Sequence, residues 1–258
     1  MTEIYRYPRL KQLSILMALD IAGPVAELVL SSIRFDVFPS TQDGSSLQNT
    51  WFYTVWTTAG IRLLIWSLIL VTLSRLTGLC KSFGKAQVWF LLRFLAVFPE
   101  ILAPAIFAYR HPNLGSLNET PLALLFPLLI TAGAVLMGES LLLPLGDHAI
   151  LCAGAELMES FGRERLARKN RRCGGWLLGT SLAFLLLFSS AVFLLVWIRY
   201  TRDVSLMDAE DGSFQILALL DIAAFLLALP LGLASLLLRV LAPVRMGQTY
   251  RAIEELTK

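Results

Sequence analysis

Residues 176–198 read WLLGTSLAFLLLFSSAVFLLVWI, an apolar run without a single Asp, Glu, Lys or Arg. A helix needs about 20 apolar residues to span the roughly 30 Å hydrocarbon layer of a membrane. Helix is also the conformation that satisfies the backbone polar groups within one segment. The run therefore predicts a membrane-spanning helix. It is preceded by a basic cluster of six residues: Arg163, Arg165, Arg168, Lys169, Arg171 and Arg172.

Five other stretches are similar in length and composition. Together the six predict crossings at about 13–33, 53–73, 87–109, 122–145, 176–198 and 214–238. Of the 258 residues 16% are charged, against about 25% in soluble domains, and the mean hydropathy is +0.67. We therefore expect an all-α, polytopic integral membrane protein, a bundle of about six helices that forms a single domain over residues 1–258. This composition excludes a disordered chain and almost any soluble enzyme of this size.

Basic residues are distributed unequally between the segments that connect the crossings. If the N-terminus is inside, 16 Lys and Arg residues fall in inside segments and four in outside segments. Cytoplasmic loops carry such an excess of Lys and Arg. The sequence therefore predicts an integral membrane protein with both termini in the cytosol.

The longest inside segment, residues 146–175, has apolar residues at helical spacing and charged residues between them. This pattern predicts a helix in the headgroup plane between crossings four and five. Asp147 and His148 are expected to cap it. The basic cluster 163–172 that follows has two interpretations: it attracts anionic lipid, or segment 147–172 docks a cytosolic partner such as an ATPase.

Seven ionisable residues fall within the crossings: Asp20, Glu27, Arg62, Arg93, Glu100, Glu139 and Asp221. A charged side chain at the centre of a bilayer costs about 2.5–3.5 kcal/mol on the insertion scale. These side chains are therefore expected to face one another or water. Their distances from the predicted helix ends sort them into an inner layer (Asp20, Arg93, Glu139) and an outer layer (Glu27, Arg62, Glu100, Asp221).

Two functions are compatible with this intramembrane charge network. In a transport-type protein, a permease or channel-like subunit, the network lines a polar pathway. Arg62 and Arg93 then serve as gates or anion anchors, and the five acids bind a cation, a proton or a substrate. Alternatively, the chain is a non-catalytic membrane subunit, an assembly or anchoring partner in a larger complex, whose charges lock its own helices or meet those of a neighbour.

Signatures of catalysis are absent from the sequence. It contains no H-E-x-x-H, G-x-S-x-G, P-loop or G-x-G-x-x-G motif. Two histidines and three cysteines are too few for a structural zinc site or for paired haem ligands in the membrane. We therefore expect no catalytic residues, no metal, no cofactor and no nucleic-acid partner. The expected partners are the lipid bilayer and, in the second interpretation, other membrane subunits or a cytosolic protein at 147–172.

Overall fold

The computed structural model describes residues 7–37, 44–110, 133, 137–203 and 212–257. Side chains are described for 7–22, 60–98, 102, 133, 137–138, 140–194 and 219–256. This part of the chain forms six α-helices and contains no strand, which confirms the expected all-α class. The helices are α1 (Pro8–Val37), α2 (Gly44–Leu76), α3 (Lys81–Arg110), α4 (Leu143–Ser160), α5 (Glu164–Asp203) and α6 (Gly212–Thr257). A π-helical turn, Gly138–Leu142, precedes α4.

Successive helices pack against each other. Each helix from α1 to α6 contacts the next helix in the chain, and α6 also contacts α1. The ring is therefore closed, and α4 also contacts α6. Tyr7, just before α1, lies against Phe161 in the turn after α4, with ring centroids 6.2 Å apart. The α2–α3 turn lies at the same end, since Ser82 bonds to Glu156. We call this end, which carries the exposed basic residues, the basic end.

The apolar core is centred on α4. Twelve of its 18 residues are buried, among them Ile150 and Leu151, which have no exposed surface. Small residues allow neighbouring helices to approach closely. A Cβ atom at Gly146, for example, would lie 2.7 Å from the Phe90 ring of α3. Small side chains thus let α4 pack against α3, α5 and α6 together.

The expected headgroup-plane helix is not confirmed, because residues 146–160 lie inside the bundle. The helix also continues past residue 145, where the fourth crossing was predicted to end: Leu142 and Leu143 both have right-handed helical dihedrals. The Leu143 N–H donates to Gly138 O, five residues back. Pro144 has no N–H and could not complete an ordinary α-helical bond, so the π-helical turn carries the helix past the proline.

The turn after α4 is short. Gly162 has φ +71°, and the N–H groups of Gly162 and Arg163 donate to Glu159 O and Met158 O. This is the Schellman pattern, in which glycine takes the left-handed position that ends a helix. Because α5 begins at Glu164, five of the six residues of the basic cluster lie in its first turns, and Arg163 directly precedes it.

α5 and α6 form a long antiparallel pair. Asn170 bonds to Thr249 at 2.9 Å, and Ser181 bonds to Ser235 at 2.6 Å. With 40 and 46 residues, the two helices are about 60 and 69 Å long at 1.5 Å per residue. That is about twice the thickness of a hydrocarbon layer, so both helices extend well beyond the crossings predicted at 176–198 and 214–238.

Three segments of the described residues are long and apolar enough to cross a membrane: Ser140–Ser160, Glu164–Leu194 and Leu219–Leu256. These segments indicate a membrane protein. The crossings predicted at 13–33, 53–73 and 87–109 lie within α1, α2 and α3. Most of the crossing predicted at 122–145 lies outside the described residues.

Exposed apolar side chains form a belt that ends at one level near the basic end. On α1, α2, α3 and α5 the last large exposed apolar residues are Ile15, Val71, Val88 and Trp176. On α6 the belt includes Val244 and is followed by exposed Gln248; a single exposed leucine, Leu256, lies beyond it near the end of the helix. Ser14 Oγ donates to Pro243 O at 2.8 Å, which places the ends of the belt on α1 and α6 at the same height. An apolar surface of this extent marks a region that contacts a membrane or another protein.

Candidate functional site: a buried charge cluster

Five side chains from five helices meet in the interior of the bundle. We call them the charge cluster: Asp20 (α1), Trp66 (α2), Arg93 (α3), Asp147 (α4) and Arg239 (α6). The exposed fraction of each side chain is small, from 0% for Arg93 to 11% for Arg239. Two carboxylates and two guanidinium groups balance in charge, which burial in an apolar interior requires.

Asp20 uses both of its carboxylate oxygens. The indole N–H of Trp66 donates to Oδ1 at 2.5 Å, and Arg239 Nη2 donates to Oδ2 at 2.9 Å. Hydrogen bonds that involve an ionised group are about twice as strong as neutral ones. Asp20 therefore connects α1 with both α2 and α6.

Arg239 joins a second carboxylate to the first. Its Nε lies 3.5 Å from Asp147 Oδ2, and the Asp147 side chain is 5% exposed. α4, which supplies much of the buried core, is thereby connected to α6. Asp147 was expected to cap a helix at the membrane surface; instead it is a buried member of an ion pair.

Arg93 lies between an aromatic ring and the π-helical turn. Its guanidinium carbon is 4.3 Å from the centroid of the Trp66 ring, within cation–π range. On the side of the π-helical turn, a Cβ atom at Gly138 would be 2.4 Å from Arg93 Nη1. Glycine at 138 thus leaves the space that the guanidinium occupies.

Four members of the cluster lie at a common depth. Each lies five residues from the belt residue that ends the belt on its helix: Asp20 from Ile15, Trp66 from Val71, Arg93 from Val88, and Arg239 from Val244. Five residues correspond to about 8 Å along a helix. The cluster therefore lies within the apolar belt, about 8 Å from its end.

The structure brings together two of the seven residues in the predicted charge network, Asp20 and Arg93. Arg62 is partly buried one turn from Trp66. Asp221 is 9% exposed, and within the described ranges its Oδ1 has no hydrogen-bond partner. It is 18 residues from Arg239, about 27 Å along α6. The side chains of Glu27, Glu100 and Glu139 lie outside the described residues.

Sequence reasoning missed Trp66, Asp147 and Arg239 as members of the site. The predicted crossing ends at 238, which leaves Arg239 outside it. A seven-residue repeat of small and polar residues on α6 could have revealed that the helix continues: Asp221, Ala228, Ser235, Ala242 and Thr249. In the structure Ser235 is half-buried and the other four are buried. Asp147 had no comparable signal, since its burial depends on the packing of α4.

The basic end contains a second polar contact. Ser82 Oγ donates to Glu156 Oε1 at 2.5 Å, near the start of α3. The Cys80 thiol beside it donates to Ala153 O at 3.7 Å. Burial raises the pKa of Cys80 to about 12, and the neighbouring Glu156 carboxylate adds to the increase.

All six residues of the basic cluster are exposed. Arg171 pairs with Glu159 at 2.7 Å, and Arg168 lies 3.9 Å from Glu164. Three of the arginines border a cavity of about 510 Å³, whose lining includes Arg163, Arg165, Leu166, Arg168, Ala252 and Glu255. Gly162 and Glu164 complete the lining, so three arginines and two glutamates surround the cavity, with a small excess of positive charge.

Within the described ranges, no group of three His, Cys, Asp or Glu side chains is placed to hold a metal ion. No protein-family model, curated protein or solved structure matches the chain.

Proposed function

We propose that the chain is a non-catalytic integral membrane subunit with six crossings, which anchors or assembles part of a larger complex. The observation that carries this proposal is the set of contacts within the charge cluster. A carboxylate that binds a transported ion must exchange its partners, whereas both oxygens of Asp20 are held by protein donors. Buried ion pairs of this kind are best understood as fixing how helices are arranged.

In this proposal the basic end faces the cytosol. Support comes from the excess of Lys and Arg in the segments assigned to that side. The start of α1 and the end of α6 also lie at the same end of the bundle, as an even number of crossings requires.

A cytosolic partner would dock at the tip of the basic end. From Trp176 at the end of the belt, α5 continues for twelve residues to Glu164, about 18 Å. That length carries the cavity beside Arg163, Arg165 and Arg168 beyond the headgroup layer. The charge of these residues favours a partner with an acidic surface.

Purification of the full chain from its native membrane in mild detergent tests this proposal. We expect the wild-type chain to retain a stoichiometric companion, and the variant R163E/R165E/R168E to lose it. The variant R75E/K85E/R172E, with the same change in charge near the end of the belt, should retain it. A chain that purifies alone, or a companion indifferent to the first variant, would reject the proposal.

A transport function is the second candidate, and Asp221 is the residue that favours it. Its carboxylate is buried, and one of its oxygens lacks a hydrogen-bond partner among the side chains and backbone that the structure describes. Ionisable residues within crossings often belong to ion or proton pathways. Reconstitution into vesicles should then show ion or proton flux that D221N abolishes while the protein stays folded. Absence of flux, or flux unchanged in D221N, would reject this candidate.

A further inference from the structure

Four helices, α1, α2, α3 and α5, each carry a basic residue just beyond the end of the belt, on the side of the basic end. Lys11 is four residues from Ile15 on α1, Arg75 four from Val71 on α2, Lys85 three from Val88 on α3, and Arg172 four from Trp176 on α5. Residues three or four apart lie on the same face of a helix. Because the apolar member of each pair is exposed, the basic member points outward with it.

The spacing places these basic groups at the depth of lipid headgroups. Three or four residues correspond to about 5–6 Å along a helix. The headgroup layer on each side of the hydrocarbon is about 5–7 Å thick. Trp176, 67% exposed at the end of the belt, has the position that indole rings prefer at this interface.

These basic side chains are available for binding. In the part of the chain that the structure describes, Lys11, Arg75, Lys85 and Arg172 are exposed and make no hydrogen bond or ion pair. Arg171 differs, because it is paired with Glu159. Unpaired cations at the level of phosphate groups attract anionic lipid.

We propose that Lys11, Arg75, Lys85 and Arg172 form a basic girdle that binds the phosphate groups of anionic phospholipids around the bundle. Lysine and arginine can lay their aliphatic stems along the apolar surface and direct their charges into the headgroup layer. The girdle separates two roles within the basic cluster: Arg172 contacts lipid, whereas Arg163, Arg165 and Arg168 are too far from the membrane to do so.

Those three arginines provide a charge-matched control. They lie eight to thirteen residues from Trp176, about 12–20 Å along the chain direction of α5. That distance exceeds the thickness of the headgroup layer. General attraction between a basic protein and an anionic membrane would depend on all the arginines, whereas the girdle depends on its own members.

The test uses the full chain reconstituted in phosphatidylcholine vesicles that contain spin-labelled phosphatidylglycerol or spin-labelled phosphatidylcholine. The measurement is the relative association constant of the two labelled lipids for the protein surface. We expect wild-type protein to prefer phosphatidylglycerol, and R75Q/K85Q/R172Q to lower that preference by fivefold or more, the factor that corresponds to at least one basic contact. R163Q/R165Q/R168Q should keep the wild-type preference.

The proposal is overturned if wild-type protein shows no preference, or if the two triple variants lose it equally. If the first triple variant fails to fold, R75Q, K85Q and R172Q are measured singly. Each should lower the preference for phosphatidylglycerol. An unchanged preference in all three would also overturn the girdle. Partner retention is a separate measurement, so failure here leaves the proposed membrane-subunit role to its own test.

Discussion

Arg239 and Asp20 are 219 residues apart in the sequence, yet Arg239 Nη2 donates to Asp20 Oδ2 at 2.9 Å. The pair connects the last helix to the first and so closes the ring of helices. Both side chains are nearly buried, with exposed fractions of 11% and 8%. In an apolar interior each charge depends on the other, because an unpaired buried ion is strongly unfavourable.

Loss of either partner should therefore destabilise the bundle, and loss of both should be less than additive. We expect D20N or R239Q to lower the free energy of unfolding by about 3–5 kcal/mol, the usual cost of breaking a buried pair from one side. The double variant D20N/R239Q should cost less than the two single changes combined. Equilibrium unfolding of the full chain in mixed micelles measures all three.

The exposed pair Arg168–Glu164 is the control for that cycle. Its nitrogen and oxygen are 3.9 Å apart and its side chains are mostly exposed, so E164Q/R168Q should change stability by no more than about 0.5 kcal/mol. Strict additivity for Asp20 and Arg239 would contradict the bridge.

Trp66 should matter for its N–H as well as for its size. W66F keeps an aromatic ring beside Arg93 but leaves Asp20 Oδ1 without its indole donor. An unsatisfied buried acceptor costs about 1–3 kcal/mol, and phenylalanine also binds cations less well than tryptophan. We expect a loss of that size in the free energy of unfolding, whereas W176F, at a position 67% exposed, should cost much less. Equal losses would show that ring size alone accounts for the effect.

Sequence alone established the class of the protein because apolar length decides it. Five of the predicted crossings lie within long helices, and Asp20 and Arg93 both contact Trp66. Segment 146–160 was misplaced because Asp147, His148 and Glu156 resemble the polar face of a surface helix. In the bundle Asp147 pairs with Arg239, and Ser82 donates to Glu156.

Those partners could not be inferred from local pattern, since each lies on another helix far along the chain. Periodicity identifies which face of a helix is apolar, but it does not identify which polar residue is neutralised by a distant one. Small residues on α4, such as Ala149, Ala153 and Gly154, were the available sign of a helix enclosed by others.

Gly138 should tolerate no side chain. In G138A the new Cβ would meet the guanidinium of Arg93, which is fully buried and bounded on the other side by Trp66. Overpacking of this kind costs about 1–3 kcal/mol. No described atom lies within 4 Å of a Cβ position at Gly133, so G133A should be neutral or gain up to about 1 kcal/mol from helix propensity. Thermal unfolding of the two variants makes the comparison, and equal midpoints would contradict the packing around Arg93.

Cys80 should react slowly with alkylating reagents, because the thiolate is the reactive form and its pKa is raised from 9.0 to about 12. A thiol pKa that is higher by three corresponds to a roughly thousandfold smaller thiolate fraction at pH 8. Site-resolved mass spectrometry after iodoacetamide treatment should show a Cys80 alkylation rate that still increases between pH 9 and pH 11.

E156Q removes the charge beside Cys80 and should increase the alkylation rate at pH 8, although burial, the larger cause of the raised pKa, remains. E159Q, which removes the carboxylate paired with Arg171, should leave the Cys80 rate unchanged. A rate that levels off near pH 9 in the folded protein would mean that the thiol is open to water, and the contact between the α2–α3 turn and α4 would then be wrong.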